Sequence, residues 1–367
     1  MSDTLKALLD ERGTLLADGA IGTNLFAVGL QTGEAPELWN VDHPDRVEDL
    51  HRAFVEAGAD IVLTNSFGGT HFRLALHKSS HRVAELNGAA ARIARRAAES
   101  ATDRTVLVAG SMGPTGEILE PNGTVSVEAA ADAFAEQARA LGEGGVDLIW
   151  LETLSSAEEI EAAVRGAASA GLPIVCTVSI DTNGRTMMGL TAADTLGLVT
   201  RLAREALGED ARTDSTLVAV GSNCGVGAAE VVAAIVNLAT AADTLDVPSG
   251  SVPLFVAKAN CGIPTWQDGR IVYDGTPELM ADYAGLAADA GARLIGGCCG
   301  TTPAHVAAMR AALDAHVAGI VPDADTIVTR LGEISQGARA QLAGDLSLAG
   351  GSASGRGGRV TRRRRTR

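Results

Sequence analysis

The stretch Gly144-Gly145-Val146-Asp147-Leu148-Ile149-Trp150-Leu151-Glu152-Thr153-Leu154 carries the reading of the fold. A glycine pair closes a helical segment, an apolar run follows, and the run ends on a carboxylate and a hydroxyl. Glycine just past a helix supplies the left-handed cap that ends it. A short apolar run after such punctuation suits a strand buried on both faces. Ala57-Gly58-Ala59-Asp60 and Ala290-Gly291-Ala292-Arg293 repeat the device before runs of their own.

Working outward, eight strand-like runs are found at 14–18, 61–67, 105–111, 148–154, 173–180, 217–223, 254–259 and 293–298. Each is followed by an Ala-rich amphipathic segment, at 45–58, 82–100, 126–144, 156–170, 192–206, 228–243, 277–290 and 303–316. Val47, Leu50 and Phe54 fall at i, i+3, i+7, and Val306, Met309 and Leu313 repeat the spacing, as one buried stripe requires. Eight such units predict an α/β protein, a (β/α)8 TIM barrel over 1–320. A doubly wound open sheet is the rival and would leave two exposed edges. The expected remainder is a C-terminal extension over 321–348, with one short helix across 323–343, and a disordered Gly/Ser/Arg tail over 349–367.

The chain has 367 residues, 45 acidic and 30 basic, for a net charge of −15. Arg356, Arg359, Arg362, Arg363, Arg364, Arg365 and Arg367 crowd the last twelve positions, so residues 1–355 carry 23 basic against 45 acidic groups, a net −22. That excess argues against nucleic acid or an anionic membrane as a partner of the barrel. No basic stretch leading into an apolar one opens the chain, and no run nears eighteen apolar residues, so a soluble, cytoplasmic protein is expected. Five cysteines, an odd number, suit reduced thiols or metal ligands better than a disulfide frame.

In such barrels chemistry sits where strands end. Those ends carry Asp18-Gly19, Thr64-Asn65-Ser66-Phe67, Glu152-Thr153, Asn223-Cys224-Gly225, Asn260-Cys261-Gly262 and Cys298-Cys299-Gly300. Cys176, inside an apolar run, reads as a small buried hydrophobe. Adjacent side chains on a regular strand point to opposite faces, but Gly296, Gly297 and Gly300 let the chain bend so that Cys298 and Cys299 turn to one point. With Cys224 they offer three thiolates and an open fourth position, the arrangement of a catalytic Zn²⁺ site. Two unrelated buried thiols, or a vicinal disulfide, are the alternatives. Cys261 is either a fourth ligand or a small residue in a turn. Three thiolates make zinc a poor activator of water, yet an added thiol would still lose its proton and stay nucleophilic, which suits alkyl transfer to sulfur. Asp18 and Glu152, on the same rim, suit an ammonium group; a turn former and a helix-start acid are the structural alternatives.

The motifs Asp18-Gly19-Ala20-Ile21-Gly22-Thr23, Thr64-Asn65-Ser66-Phe67, Gly221-Ser222-Asn223-Cys224-Gly225 and Gly296-Gly297-Cys298-Cys299-Gly300-Thr301 resemble, in order, those of the zinc-dependent homocysteine S-methyltransferases. With Pro36-Glu37-Leu38-Trp39-Asn40 and Tyr273-Asp274-Gly275-Thr276-Pro277 the likeness is nearest to the short bacterial betaine-homocysteine group. The resemblance implies zinc on Cys224, Cys298 and Cys299, with Asp18 and Glu152 at the homocysteine amino group. It places Gly19, Thr23 and Ser66 around the carboxylate and Asn223 at the substrate. Methyl would pass directly to the homocysteine thiolate from betaine or a related onium compound. The alternatives are S-methylmethionine or S-adenosylmethionine as donor, or a separate corrinoid-protein partner; a homo-oligomer is also expected. Quaternary ammonium groups favour aromatic faces, for which Trp39, Phe67, Trp266 and Tyr273 are the candidates. A tyrosine that the animal enzyme carries after its second strand is Gly68 here.

Overall fold

Each of the eight apolar runs forms a strand in the computed structural model, which describes residues 1–180, 183–207, 217–244, 252–263, 265–267 and 270–345. They are β1 (Leu15–Leu16), β2 (Ile61–Leu63), β3 (Leu107–Met112), β4 (Leu148–Leu154), β5 (Ile174–Val178), β6 (Leu217–Cys224) and β7 (Leu254–Ala259). A hairpin of β8 (Thr265–Gln267) and β9 (Arg270–Val272) follows before the eighth barrel strand, β10 (Ala292–Gly297). The eight pair in parallel in the order β1-β10-β7-β6-β5-β4-β3-β2, and a parallel bridge from Ala17 to Ile61 joins the two ends. The TIM barrel expected from the sequence is therefore the architecture.

Parallel strands buried on both faces are apolar at successive positions. On β4, Leu148 and Trp150 belong to the interior cluster with Leu63, Leu107, Val256 and Leu294, while Ile149 and Leu151 pack outward with the helical layer. Full burial of such side chains stabilises the fold by about 1.5–3 kcal/mol each. The outer helices start on side-chain caps or prolines: Ser126, Ser156 and Thr276 accept from backbone amides, and Pro44, Pro277 and Pro303 stand at first turns.

The helix Asp3–Arg12 has no counterpart in the sequence reading. Ser2 caps it, and Leu5, Leu8 and Leu9, one stripe at helical spacing, join the interior cluster at the amino-terminal end of the barrel. Beside it the fully buried Asp60 carboxylate lies 3.3 Å from Arg12 and 3.1 Å from Arg310. The single helix expected over 323–343 is two, Ala324–Leu331 and Gln336–Leu342, because Gly332 takes a left-handed φ of 103° and Ser335 caps a new start. Both pack on the helix Ala228–Ala242. The tail at 349–367 lies outside the described residues. Among the described residues no helix is long and apolar enough to cross a membrane.

Candidate metal centre and active site

Strand register aims three of the functional side chains. Glu152 continues the inward set of Leu148 and Trp150, Lys258 that of Val256, and Cys298 that of Leu294. β10 ends at Gly297, where a Cβ would stand 2.2 Å from the Thr301 side chain, and a turn closed by Thr301 N donating to Cys298 O brings Cys299 round. Cys224 ends β6 with a left-handed φ of 56°. The result is a cluster of three sulfurs, all within 4.8 Å of one another, with Cys224 Sγ 2.7 Å from Cys298 Sγ and 3.9 Å from Cys299 Sγ.

This donor set fits zinc. Tetrahedral Zn–S bonds of about 2.3 Å place sulfurs about 3.8 Å apart, a spacing that the Cys224–Cys299 pair already has. The thiols otherwise hydrogen-bond to one another, which pulls Cys299 far below the usual thiol range and pushes Cys224 well above it. Cys261 stands apart: its thiol donates to Gly275 O at 3.1 Å, the turn alternative rather than the ligand one. Cys176 is fully buried in β5, its thiol pushed up to about 12 by desolvation. The Tyr273 hydroxyl hydrogen-bonds to Cys299, and its ring lies against Gly300.

A cavity of about 390 Å³ opens over the sulfurs. Glu152 lines it and accepts from Ser111 Oγ at 2.5 Å; burial raises its carboxyl above the ordinary range, with Lys258 opposing. Asp18 does not line it. Its Oδ2 accepts from Leu63 N at 2.8 Å, its Oδ1 lies 3.6 Å from Lys258 Nζ, and burial pushes it up to about 7 against the Lys258 charge. In the structure the cation beside Asp18 is Lys258.

Of the remaining sequence-derived residues, Gly19, Thr23, Ser66 and Phe67 line the cavity. A Cβ on Gly19 would sit 2.7 Å from Thr301 O, so that approach admits glycine alone. The Ser66 hydroxyl is spent on Ser111 O at 2.7 Å. Asn223 and Trp39 do not line the cavity, although Asn223 Nδ2 stands 3.9 Å from Cys298 Sγ. Asn223 is fully buried and clamps β4: its Oδ1 accepts from Thr153 N at 2.7 Å and Thr177 Oγ1 at 2.8 Å, and its Nδ2 donates to Thr153 Oγ1 at 2.8 Å. Trp39 packs with Leu25, Leu30, Val47 and Ile93, away from the cavity. Trp266 lies on β8, and its side chain is outside the described residues.

Sequence reasoning passed over Lys258 and Glu37. The register of Val256 pointed to the first. The second lies in the motif Pro36-Glu37-Leu38-Trp39-Asn40, which gives it no role; its Oε1 accepts from Gly68 N at 2.6 Å across 31 residues. A Cβ on Gly68 would stand 2.9 Å from that oxygen, so a carboxylate occupies the space a tyrosine would need.

A sequence model described as Homocysteine S-methyltransferase matches residues 15–313. The chain belongs to that family. Among relatives, the methionine synthase of Mycobacterium tuberculosis is 33% identical over 314 residues, 82% of this chain and 24% of that protein. The Mycobacterium leprae methionine synthase is 31% identical over 89% of this chain and 26% of its own length. The chain thus spans about a quarter of these relatives. Among solved structures, the Escherichia coli homocysteine methyltransferase MmuM in its metallated form superposes with a TM-score of 0.66 at 29% identity, covering 84% of this chain and 99% of that one. Its oxidized form gives 0.67 at the same identity. The first of the two was solved with metal; this chain brings Cys224, Cys298 and Cys299 together in a cluster that could hold one.

Proposed function

We propose that the protein is a zinc-dependent homocysteine S-methyltransferase that makes methionine by direct transfer from a small onium donor such as betaine. The observation that carries this reading is the convergence of Cys224, Cys298 and Cys299 beside Glu152 at the floor of the cavity. Bound there, Zn²⁺ supplies deprotonation of an incoming thiol at neutral pH. Glu152, held by Ser111, takes the substrate ammonium; Gly19 and Thr23 shape the wall beside it. The substrate sulfur forms a bond to the donor methyl as the bond from that methyl to the onium atom breaks, and the donor leaves neutral at the onium centre. The residues contribute alignment and exclusion of water. The buried Glu37 carboxylate on the cavity wall supports a cationic donor, with Phe67 as the neighbouring aromatic face.

The test is methionine formation from homocysteine with betaine, dimethylsulfonio compounds, S-methylmethionine and S-adenosylmethionine supplied singly. Turnover with one or more supports the reading, and none would sink it. Cys298→Ala should lose both bound zinc and turnover. A second reading draws on the methionine synthases, of which this chain matches about a quarter. In it the protein presents homocysteine to a separate corrinoid protein, and thiol binding persists with no transfer from any free donor.

A further inference from the structure

Tyr273 follows the β8–β9 hairpin and stands over the cysteine pair at the end of β10. A Cβ on Gly300, whose φ is 80°, would run into the Tyr273 ring, so the ring rests on bare backbone one residue beyond Cys299. Cys261 fixes the two segments against each other. Its amide donates to Cys299 O at 2.9 Å, and its carbonyl accepts from Gly275 N at 3.1 Å, two residues past the tyrosine. The Gly275 carbonyl accepts in turn from the Cys261 thiol at 3.1 Å and from His305 Nε2 at 3.2 Å. That frame brings the Tyr273 hydroxyl to Cys299 Sγ, which accepts its hydrogen bond. Tyr273 is not among the residues lining the cavity, so it meets this sulfur from outside the space that a donor would occupy.

The three sulfurs are not equally served. Cys299 has the tyrosine hydroxyl and Cys298 has Asn223 Nδ2 at 3.9 Å, whereas among the described residues only the other two thiols hydrogen-bond to Cys224 Sγ. Cys224 and Cys299 are both half-buried, so access does not separate them. A site that activates a thiol with three cysteines has to choose among four sulfurs about 3.8 Å apart. Methyl delivered to a cysteine stays there. The bond from methyl to Sγ forms, the bond from methyl to the onium atom breaks, the donor departs neutral at that atom, and the cysteine is left an uncharged thioether instead of the thiolate a metal needs. A hydrogen bond to a charged acceptor is a strong one and draws on the lone pair that would attack.

We propose that the Tyr273 hydroxyl, by hydrogen-bonding to Cys299, protects that ligand from methylation and so helps direct the methyl to the substrate sulfur. Tyr273 touches no substrate in this assignment; it is a positioning residue that acts through Cys299. The assignment rests on the zinc reading above and concerns which sulfur is spent, not how fast methionine forms. A tyrosine that served only to pack on Gly300 would leave Cys299 as reactive as Cys224.

The experiment treats zinc-loaded protein with methyl iodide, without homocysteine, and follows S-methylcysteine over time by tandem mass spectrometry, which separates Cys298 from Cys299. Zinc content is measured for each sample. In wild type Cys224 should be methylated before Cys299. Tyr273→Phe keeps a ring on Gly300 and removes only the hydroxyl; its Cys299 rate should rise roughly 10-fold while the Cys224 rate holds. Cys299 methylated first in wild type overturns the assignment whatever the variant does, and so does an unchanged Cys299 rate in a variant that holds zinc. A variant that folds but cannot hold zinc also overturns it, since the hydroxyl would then build the site rather than shield one sulfur. None of these results involves homocysteine, so the methyltransferase reading outlives them; wild-type protein that binds no zinc overturns both.

Discussion

Glu152 reaches the cavity with burial working against its charge, and Ser111 and Lys258 counter that burial. Glu152→Gln keeps an oxygen for Ser111 but removes the charge that would hold an ammonium. Homocysteine KM should rise roughly 10- to 100-fold with zinc content unchanged; an unaltered KM would take Glu152 out of substrate binding. Glu37 is the corresponding test for the donor. Its amide replacement keeps an acceptor for Gly68 N, so Glu37→Gln should raise the KM of a cationic donor and leave that of homocysteine where it was. The two residues thus separate the acceptor and donor ends by which KM moves.

Two strand ends depend on one asparagine. Thr153, at the end of β4, holds a φ of 65°, a costly conformation for a β-branched residue, and Cys224 at the end of β6 holds 56°. Asn223 binds both the amide and the hydroxyl of Thr153. Asn223→Ala should lower stability by about 2–4 kcal/mol and weaken zinc retention. Adding Thr153→Gly, for which a positive φ carries no steric cost, should restore part of the stability in thermal unfolding; no recovery would mean that the strain is held elsewhere. These ends mark the boundary of what the sequence shows. Apolar runs and glycine caps locate the strands, with β4 at its observed limits, and the strand ends place Glu152 and Cys298 on one rim. Alternation says nothing of which partner a side chain finds. Asp18 was expected to meet substrate but turns to Leu63 N, and Asn223 was read from a motif whose geometry makes it a clamp. Trp39 is a candidate for donor binding because aromatics are few, but its apolar neighbours include Leu25, on the short helix Gly22–Ala27, and Leu30 in the loop after it, too short a stretch for periodicity to describe. The helix Asp3–Arg12 escaped notice because it precedes the first strand and belongs to no repeating unit.

Across the whole molecule the buried titratable groups pull in opposite directions in acid: the raised carboxyls of Asp18 and Glu152 favour the fold as pH falls, and His51 on the helix Pro44–Glu56 opposes it. His51 on that helix is fully buried, neither ring nitrogen has a hydrogen-bond partner, and desolvation lowers its pKa to about 4. Above the ordinary pKa of about 6.5 both folded and unfolded chains carry it neutral, and it costs nothing. As pH drops below that value the unfolded chain takes up a proton that the folded one refuses. This residue's contribution to unfolding therefore grows progressively down to about pH 4, to about 3 kcal/mol. Chemical denaturation of wild type and His51→Leu between pH 7 and 4 isolates the histidine: the variant should gain stability relative to wild type as pH falls, and a difference that does not change with pH would take His51 out of the acid response. The opposite end of the barrel interior is filled by Leu5, Leu8 and Leu9, so among the described residues the cavity lies on the strand-end side. Phe26 and Leu76, at 45% and 71% exposure, mark its outer rim, and Lys258 at 3% its floor. An approach from one side imposes a queue. Under the proposed function, with the acceptor at the sulfur cluster and the donor nearer the rim, homocysteine would enter before the donor and methionine would leave after the spent donor has gone. Initial-rate kinetics should therefore be sequential and ordered, with methionine competitive against homocysteine at every donor concentration.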